Sequence, residues 1–402
     1  MKKTILFLTY SLLALFIISC ANEDDQYFDP RGTDYAGAES CIQCHQSILN
    51  HTMQTAHFKA TAPATIENVL GNFGPNSVFV YDKNTKIIME KRDDSLYQVL
   101  YKNGKEIKAY PFDIVFGNKN AQTSVYWHNN NTYELPVSYY KSVDNWATSP
   151  GFSAETPDFS RKIEKDCYAC HSSNISSRNL NQSSDNSNFL SMDVEDMMDK
   201  KTIIYGIDCE RCHGPAKSHV EEHRKDPNLK TAKNIVVFSE LNNQQKMDAC
   251  SICHSGNDGL KMKSRFDFKP GDNISDFFRN APTNNDQTDY DVHGNQLALL
   301  MQSKCFTKST TLNCITCHNP HEEKTQNLVN YSKICVSCHA VTKHSATTTQ
   351  LMNTNNLFKA NCIECHMPKQ SSKAINFQLS KSKSLSNYKL RTHKIAVYPT
   401  PK

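Results

Sequence analysis

Cys209-Glu210-Arg211-Cys212-His213 sets two thiols three residues apart with an imidazole directly behind the second. That spacing suits thioether attachment of two haem vinyl groups, with His213 closing on the iron as proximal ligand. The pattern occurs six more times: Cys41-Ile42-Gln43-Cys44-His45, Cys167-Tyr168-Ala169-Cys170-His171, Cys250-Ser251-Ile252-Cys253-His254, Cys314-Ile315-Thr316-Cys317-His318, Cys335-Val336-Ser337-Cys338-His339 and Cys362-Ile363-Glu364-Cys365-His366. A zinc ribbon also uses CxxC pairs, but zinc takes four ligands from paired half-motifs and needs no histidine behind every second cysteine. The sequence therefore implies seven covalently attached haem c groups. Their proximal iron ligands are His45, His171, His213, His254, His318, His339 and His366.

The cysteine inventory is almost closed by this reading. Of 16 cysteines, only Cys20 and Cys305 lie outside the seven pairs. Cys305 reads either as an inert thiol or as a reactive one near the fifth motif. Of 16 histidines, nine are not proximal: His51, His57, His128, His219, His223, His293, His321, His344 and His393. A histidine three residues behind a proximal one shares its side of the helix, so His321 cannot reach the far face of the iron held by His318. If it ligates, it serves a neighbouring haem, and the same argument extends to His219 behind His213 and His57 behind His45. His57, His219, His293, His321 and His393 are the candidate distal ligands; His51, His128, His223 and His344 stay unassigned. His219-Val220-Glu221-Glu222-His223 also spells the HxxEH of inverted zinc peptidases, but its place six residues behind a haem histidine speaks against that chemistry.

The elements that must carry these residues follow from composition. A hydrophobic fraction of 38% in 402 residues is low for conventional cores, and haem would supply the missing apolar surface. The fold class expected is mainly α, with much irregular structure around stacked haems and a small antiparallel β insert. The formal net charge of +4 gives no reason to expect a nucleic-acid partner.

At the N-terminus, Lys2 and Lys3 precede an apolar run over 5–18 that ends in Ile17-Ile18-Ser19-Cys20. This reads as a lipoprotein signal peptide over 1–20, with Cys20 lipidated and anchoring the chain to a membrane. Residues 21–36 read as a polar tether and 37–73 as the first haem segment. The β-rich insert covers 74–160, with strands over 77–80, 86–90, 96–101, 106–110, 112–116 and 123–127 and a hairpin at Asn103-Gly104. The multihaem region is 161–402. Within it, 172–188 reads as a loop, 192–200 as a short helix, 216–224 and 239–249 as helices, 255–288 as a surface connection and 369–387 as a solvated basic tail.

These residues resemble periplasmic multihaem c-type cytochromes related to cytochrome c-554 and the doubled-CxxCH proteins. The likeness rests on Asp34-Tyr35-Ala36-Gly37, Leu135-Pro136-Val137-Ser138-Tyr139-Tyr140, Ser149-Pro150-Gly151, Cys209-Glu210-Arg211-Cys212-His213-Gly214-Pro215 with His219, His293-Gly294-Asn295-Gln296, Cys317-His318-Asn319-Pro320-His321 and Cys365-His366-Met367-Pro368. It implies electron transfer through closely stacked haem pairs and supports His57, His219, His293, His321 and His393 as distal ligands. The resulting expectation is an exported carrier of single electrons between membrane or periplasmic donors and an outer acceptor, with redox proteins as partners. It would be an outer-membrane lipoprotein facing the periplasm or the cell surface. The alternative is an oxidoreductase, a haem-dependent reductase or oxidase of a small nitrogen or sulfur compound. Relatives of that kind often carry CxxCK at the open iron, and no CxxCK occurs here.

Overall fold

The computed structural model describes residues 28–179, 196–256, 259–279, 289–341, 343–354 and 361–399. The expected signal peptide, the lipidation site Cys20 and the first part of the tether lie outside the described residues.

Short strands make up the first half. They are β1 (Thr61–Pro63), β2 (Val78–Val80), β3 (Thr85–Arg92), β4 (Ser95–Lys102), β5 (Lys105–Pro111), β6 (Ile114–Phe116), β7 (Ala121–His128), β8 (Asn131–Glu134), β9 (Val137–Tyr140), β10 (Asn145–Thr148) and β11 (Lys162–Ile163). β2 to β5 form a four-stranded antiparallel meander, and the others form a seven-stranded sheet in the order β1-β6-β7-β8-β11, with β9 paired to β7 and β10. On β3 the inward side chains are Ile87 and Met89, alternating with half-buried Lys86 and Glu90 as a one-faced sheet requires. They pack with Phe79 and Leu96 against Leu135, Val137, Tyr139 and Trp146. The β4–β5 turn is Asn103-Gly104, both with φ above +50° (51° and 77°), the conformation of a type I′ hairpin. The aromatic segment ending this region packs within the sheets, and Tyr140 stacks on Phe377 of the C-terminal region at 4.2 Å.

The helices are short. They are α1 (Ala38–Thr52), α2 (Lys165–His171), α3 (Cys209–His213), α4 (Lys217–Lys225), α5 (Asn243–His254), α6 (Gln296–Met301), α7 (Lys304–Lys308), α8 (Cys314–Cys317), α9 (Leu328–Cys338), α10 (Ala346–Thr354) and α11 (Cys362–His366). None is long and apolar enough to cross a membrane.

The expectation of a mainly α fold is wrong. Of the described residues 28% are helical and 27% are in strands, in several antiparallel sheets. Two hairpins carry most of the discrepancy. β12 (Ser172–Asn179) pairs with β13 (Asp196–Tyr205), where sequence reading expects a loop and a short helix. β16 (Lys369–Phe377) pairs with β17 (Ser386–Arg391), where it expects a solvated tail. The small pair β14 (Leu260–Lys261) and β15 (Phe278–Arg279) lies between them. Each large hairpin has polar residues along most of its length and is fixed by a few buried ones: Ile175 and Met198 in one, Phe377 and Tyr388 in the other. The stretch read as a surface connection holds a small core of its own, in which Phe268, Ile274, Phe277 and Phe278 pack on Ile252.

Candidate functional site

All seven CxxCH motifs sit at the C-terminal turn of a helix, with the histidine at its last residue or the next, except that α1 continues beyond a kink at His45. On a helix the first cysteine, the second at i+3 and the histidine at i+4 share one face. Each motif thus presents two thiols and an imidazole as one edge against which a planar group can lie.

The motifs also touch one another. Cys41 and Cys209 are within hydrogen-bonding reach, as are Cys170 and Cys253, and Cys250 and Cys314. Cys250 also feels Cys212, and Cys335 feels both Cys317 and Cys362. In these contacts motif four is the junction: it adjoins motifs two, three and five, while one lies beyond three, and six and seven lie beyond five.

Opposite the proximal imidazoles stand others. Ring centres are 6.4 Å apart for His45 and His219, 6.0 Å for His254 and His57, 5.9 Å for His213 and His321, 6.3 Å for His318 and His393 and 6.4 Å for His366 and His344. His293 lies near enough to His171 to act on it electrostatically. Two metal–nitrogen bonds of about 2.0–2.1 Å, plus roughly 1.1 Å from nitrogen to ring centre on each side, give a separation of ~6.3 Å for a metal held between two imidazoles. The five measured pairs match that span. Among the described residues no group of three or more His, Cys, Asp or Glu side chains could hold a metal ion by itself. A metal held by two imidazoles takes its remaining ligands from elsewhere, and a macrocycle attached at the adjoining thiols fits that need.

Nδ1 hydrogen bonds orient several of these rings. His213 meets the Val236 carbonyl at 3.1 Å, His219 that of Lys233 at 2.9 Å, His366 that of Ala396 at 2.9 Å, and His254 the Gln296 amide oxygen at 3.3 Å. A ring that donates from Nδ1 keeps the Nε2 lone pair for iron. Burial pushes His57, His171 and His393 down to about 4 and also lowers His45, His254, His293, His318 and His321, so these eight rings are neutral near pH 7.

Every facing imidazole comes from chain that trails a different motif. His57 follows motif one and faces motif four; His219 follows motif three and faces motif one; His321 follows motif five and faces motif three. His344, which sequence reading leaves unassigned, trails motif six and faces motif seven. Its signal was available in that same trailing position. His51 is exposed on α1, His128 is exposed beside Tyr133, and His223 adjoins His219. Cys305 lies on α7 near Cys317 and Cys335, and burial raises its thiol pKa.

The β-structure positions part of this array. Thr61 Oγ1 donates to the His171 carbonyl at 2.9 Å and accepts from Gly206 N at 2.9 Å, while Ile207 N donates to the His57 carbonyl at 2.9 Å. Gly206 has φ +65°, and a Cβ there would lie 1.9 Å from the Phe58 carbonyl oxygen. Gly206→Ala is therefore expected to cost about 2 kcal/mol or more through left-handed strain and displacement of backbone next to His57. The check is thermal unfolding of the purified variant; a melting temperature equal to wild type would refute the fit.

Comparison with known proteins agrees with this geometry. Residues 308–344, containing motifs five and six, match the family model of the doubled CXXCH motif. Superposition on the crystal structure of the outer cell wall cytochrome OcwA gives a TM-score of 0.55 at 14% identity, covering 90% of this chain and 80% of that one. The chain shares the fold of a multihaem c-type cytochrome and carries the doubled CXXCH motif. The chain also matches an undecaheme cytochrome from the S-layer of Carboxydothermus ferrireducens at a TM-score of 0.36 and 15% identity, over 84% of this chain and 51% of that one. No curated protein matches it.

Proposed function

We propose that the cytochrome is an exported single-electron carrier holding seven haems, with bis-imidazole ligation at motifs one, two, three, four, five and seven. The observation that carries this reading is the set of opposed imidazoles, each pair joining two different motif segments. Haem iron, when bound, supplies the one-electron couple. The chain's own contribution is placement. Contacts such as Cys41 to Cys209 and Cys250 to Cys314 bring attachment edges of successive motifs together, and donors such as His57 and His321 cross from one motif to another. The adjacency runs one-three-four-five-six-seven, with two as a branch at four. Motif one, at one end of the row with Cys44 exposed, motif two, on the branch with Cys167 exposed, and motif six, next to the other end with Cys338 exposed, offer the ports for redox partners.

Export agrees with covalent haem attachment, with the lipoprotein-like N-terminus and with the outer cell wall name of OcwA. A lipid anchor at Cys20 would leave the cytochrome on the outer membrane. The test is the mass and electron paramagnetic resonance of the purified oxidised protein. The expected result is seven haems by mass and low-spin iron at the six opposed motifs. Fewer haems, or a high-spin signal perturbed by nitrite or hydroxylamine at one of those motifs, would overturn the reading.

A further inference from the structure

His223 lies one helical turn beyond His219 on α4, so both imidazoles leave the helix on the same face. Their ring centres are 4.5 Å apart, and both rings act electrostatically on His45. His219 has its place: it opposes His45 at 6.4 Å, and its Nδ1 is tied to the Lys233 carbonyl. His223 has no such tie at Nε2, which is shielded from solvent and meets no hydrogen-bond partner among the described residues. A buried polar atom left without a partner costs about 1–3 kcal/mol, so its position there calls for a ligand.

We propose that His223 is a second axial donor for the haem of motif one, held in reserve one turn behind His219. The inference rests on the bis-imidazole reading above. The helix can make the exchange because it is lightly held. α4 has no buried side chain and is fixed mainly at its ends, where Ala216 N donates to Glu210 at 2.8 Å, Lys217 N to the Asp34 carbonyl at 3.0 Å and Arg224 to Gln43 at 3.1 Å. One turn of helix advances about 5.4 Å, comparable to the separation of the two rings, so a side-chain rotation with a small slide carries one donor to the place of the other. His223 would then hold the iron if His219 let it go. The haem at an exposed end of the row stays six-coordinate and closed to small exogenous ligands.

The test uses the holoprotein. In His219→Ala all iron at the opposed motifs stays low-spin, because His223 takes the iron, whereas His219→Ala/His223→Ala converts one haem equivalent to high spin. The same high-spin equivalent in His219→Ala alone would overturn the proposal and leave His223 a hydrogen-bonding neighbour. If His219→Ala does not mature, His223→Ala gives a second reading. Its reduced form binds carbon monoxide at one haem about tenfold faster than wild type, since the competing donor is gone; equal rates would overturn the proposal. High-spin iron already present at motif one in the wild type would instead overturn the bis-imidazole reading on which it rests.

Discussion

Arg31→Ala is expected to destabilise the folded cytochrome by about 3–5 kcal/mol, the cost of removing one partner from a buried ionic cluster. Among the described residues Arg31, 7% exposed, is the only cation in contact with three carboxylates: Asp29 at 2.8 Å, Asp208 at 2.9 Å and Glu210 at 2.9 Å, whose side chains are 0%, 3% and 1% exposed. Two of the three hold motif three: Asp208, just before it, caps α3 by accepting from Arg211 N, and Glu210 is the second residue of α3. Glu210 also accepts from Ala36 N, Gly37 N and Ala216 N, so one carboxylate joins the segment before motif one to the segment carrying His219. Burial already raises the Glu210 pKa, and removing Arg31 would leave three desolvated acids without their counter-charge. Arg31→Lys keeps the charge but loses the planar fork that serves all three acids and stacks on Tyr35 at 4.4 Å, so an intermediate loss is expected. The check is denaturation followed at the Soret band. An Arg31→Ala midpoint equal to wild type would show that the cluster contributes nothing net.

That cluster also marks where sequence reading stops. Residues 21–36 read as a polar tether because Asp29 and Arg31 are charged, yet both are buried against motif three. Charge reports preference for water only until a partner of opposite sign arrives from elsewhere in the chain, here 177 and 179 residues away. The CxxCH motifs are legible for the opposite reason: their geometry is local, set by i, i+3 and i+4 on one helical turn. The β4–β5 hairpin is legible too, since Asn103-Gly104 encodes its own turn. β12–β13 and β16–β17 are not, because Ser, Asn and Lys dominate their length and only a few residues such as Ile175 and Phe377 bind them to the rest. Pairing of imidazoles falls between these cases. Exclusion of His321 from its own motif follows from helix geometry, but the choice of His213 as its opposite number depends on the tertiary crossing.

Acid is expected to loosen the array below pH 6.5, well before general protonation of carboxylates. His57, His171 and His393 titrate near 4 in the folded chain against an ordinary 6.5, mainly because burial disfavours the imidazolium. Above pH 6.5 these rings are neutral in both states and contribute no pH dependence. Between 6.5 and 4 the unfolded chain binds their protons while the folded chain does not, so stability falls as pH falls and levels off below about 4. Iron bound at Nε2 would act in the same direction, because a protonated imidazole has no lone pair to give. Glu134, Glu210 and Asp248 oppose the trend: burial raises their pKa, so the folded state takes up their protons first and acid relieves them. Hydrogen bonds or the Arg161 ion pair lower each of these pKa values in part, but burial outweighs them. Denaturation midpoints measured from pH 7 to pH 4.5 are expected to fall steadily, and less steeply in His393→Gln, which removes one of the three titrating rings. A flat profile over that range would show that these imidazoles are not buried as neutral ligands.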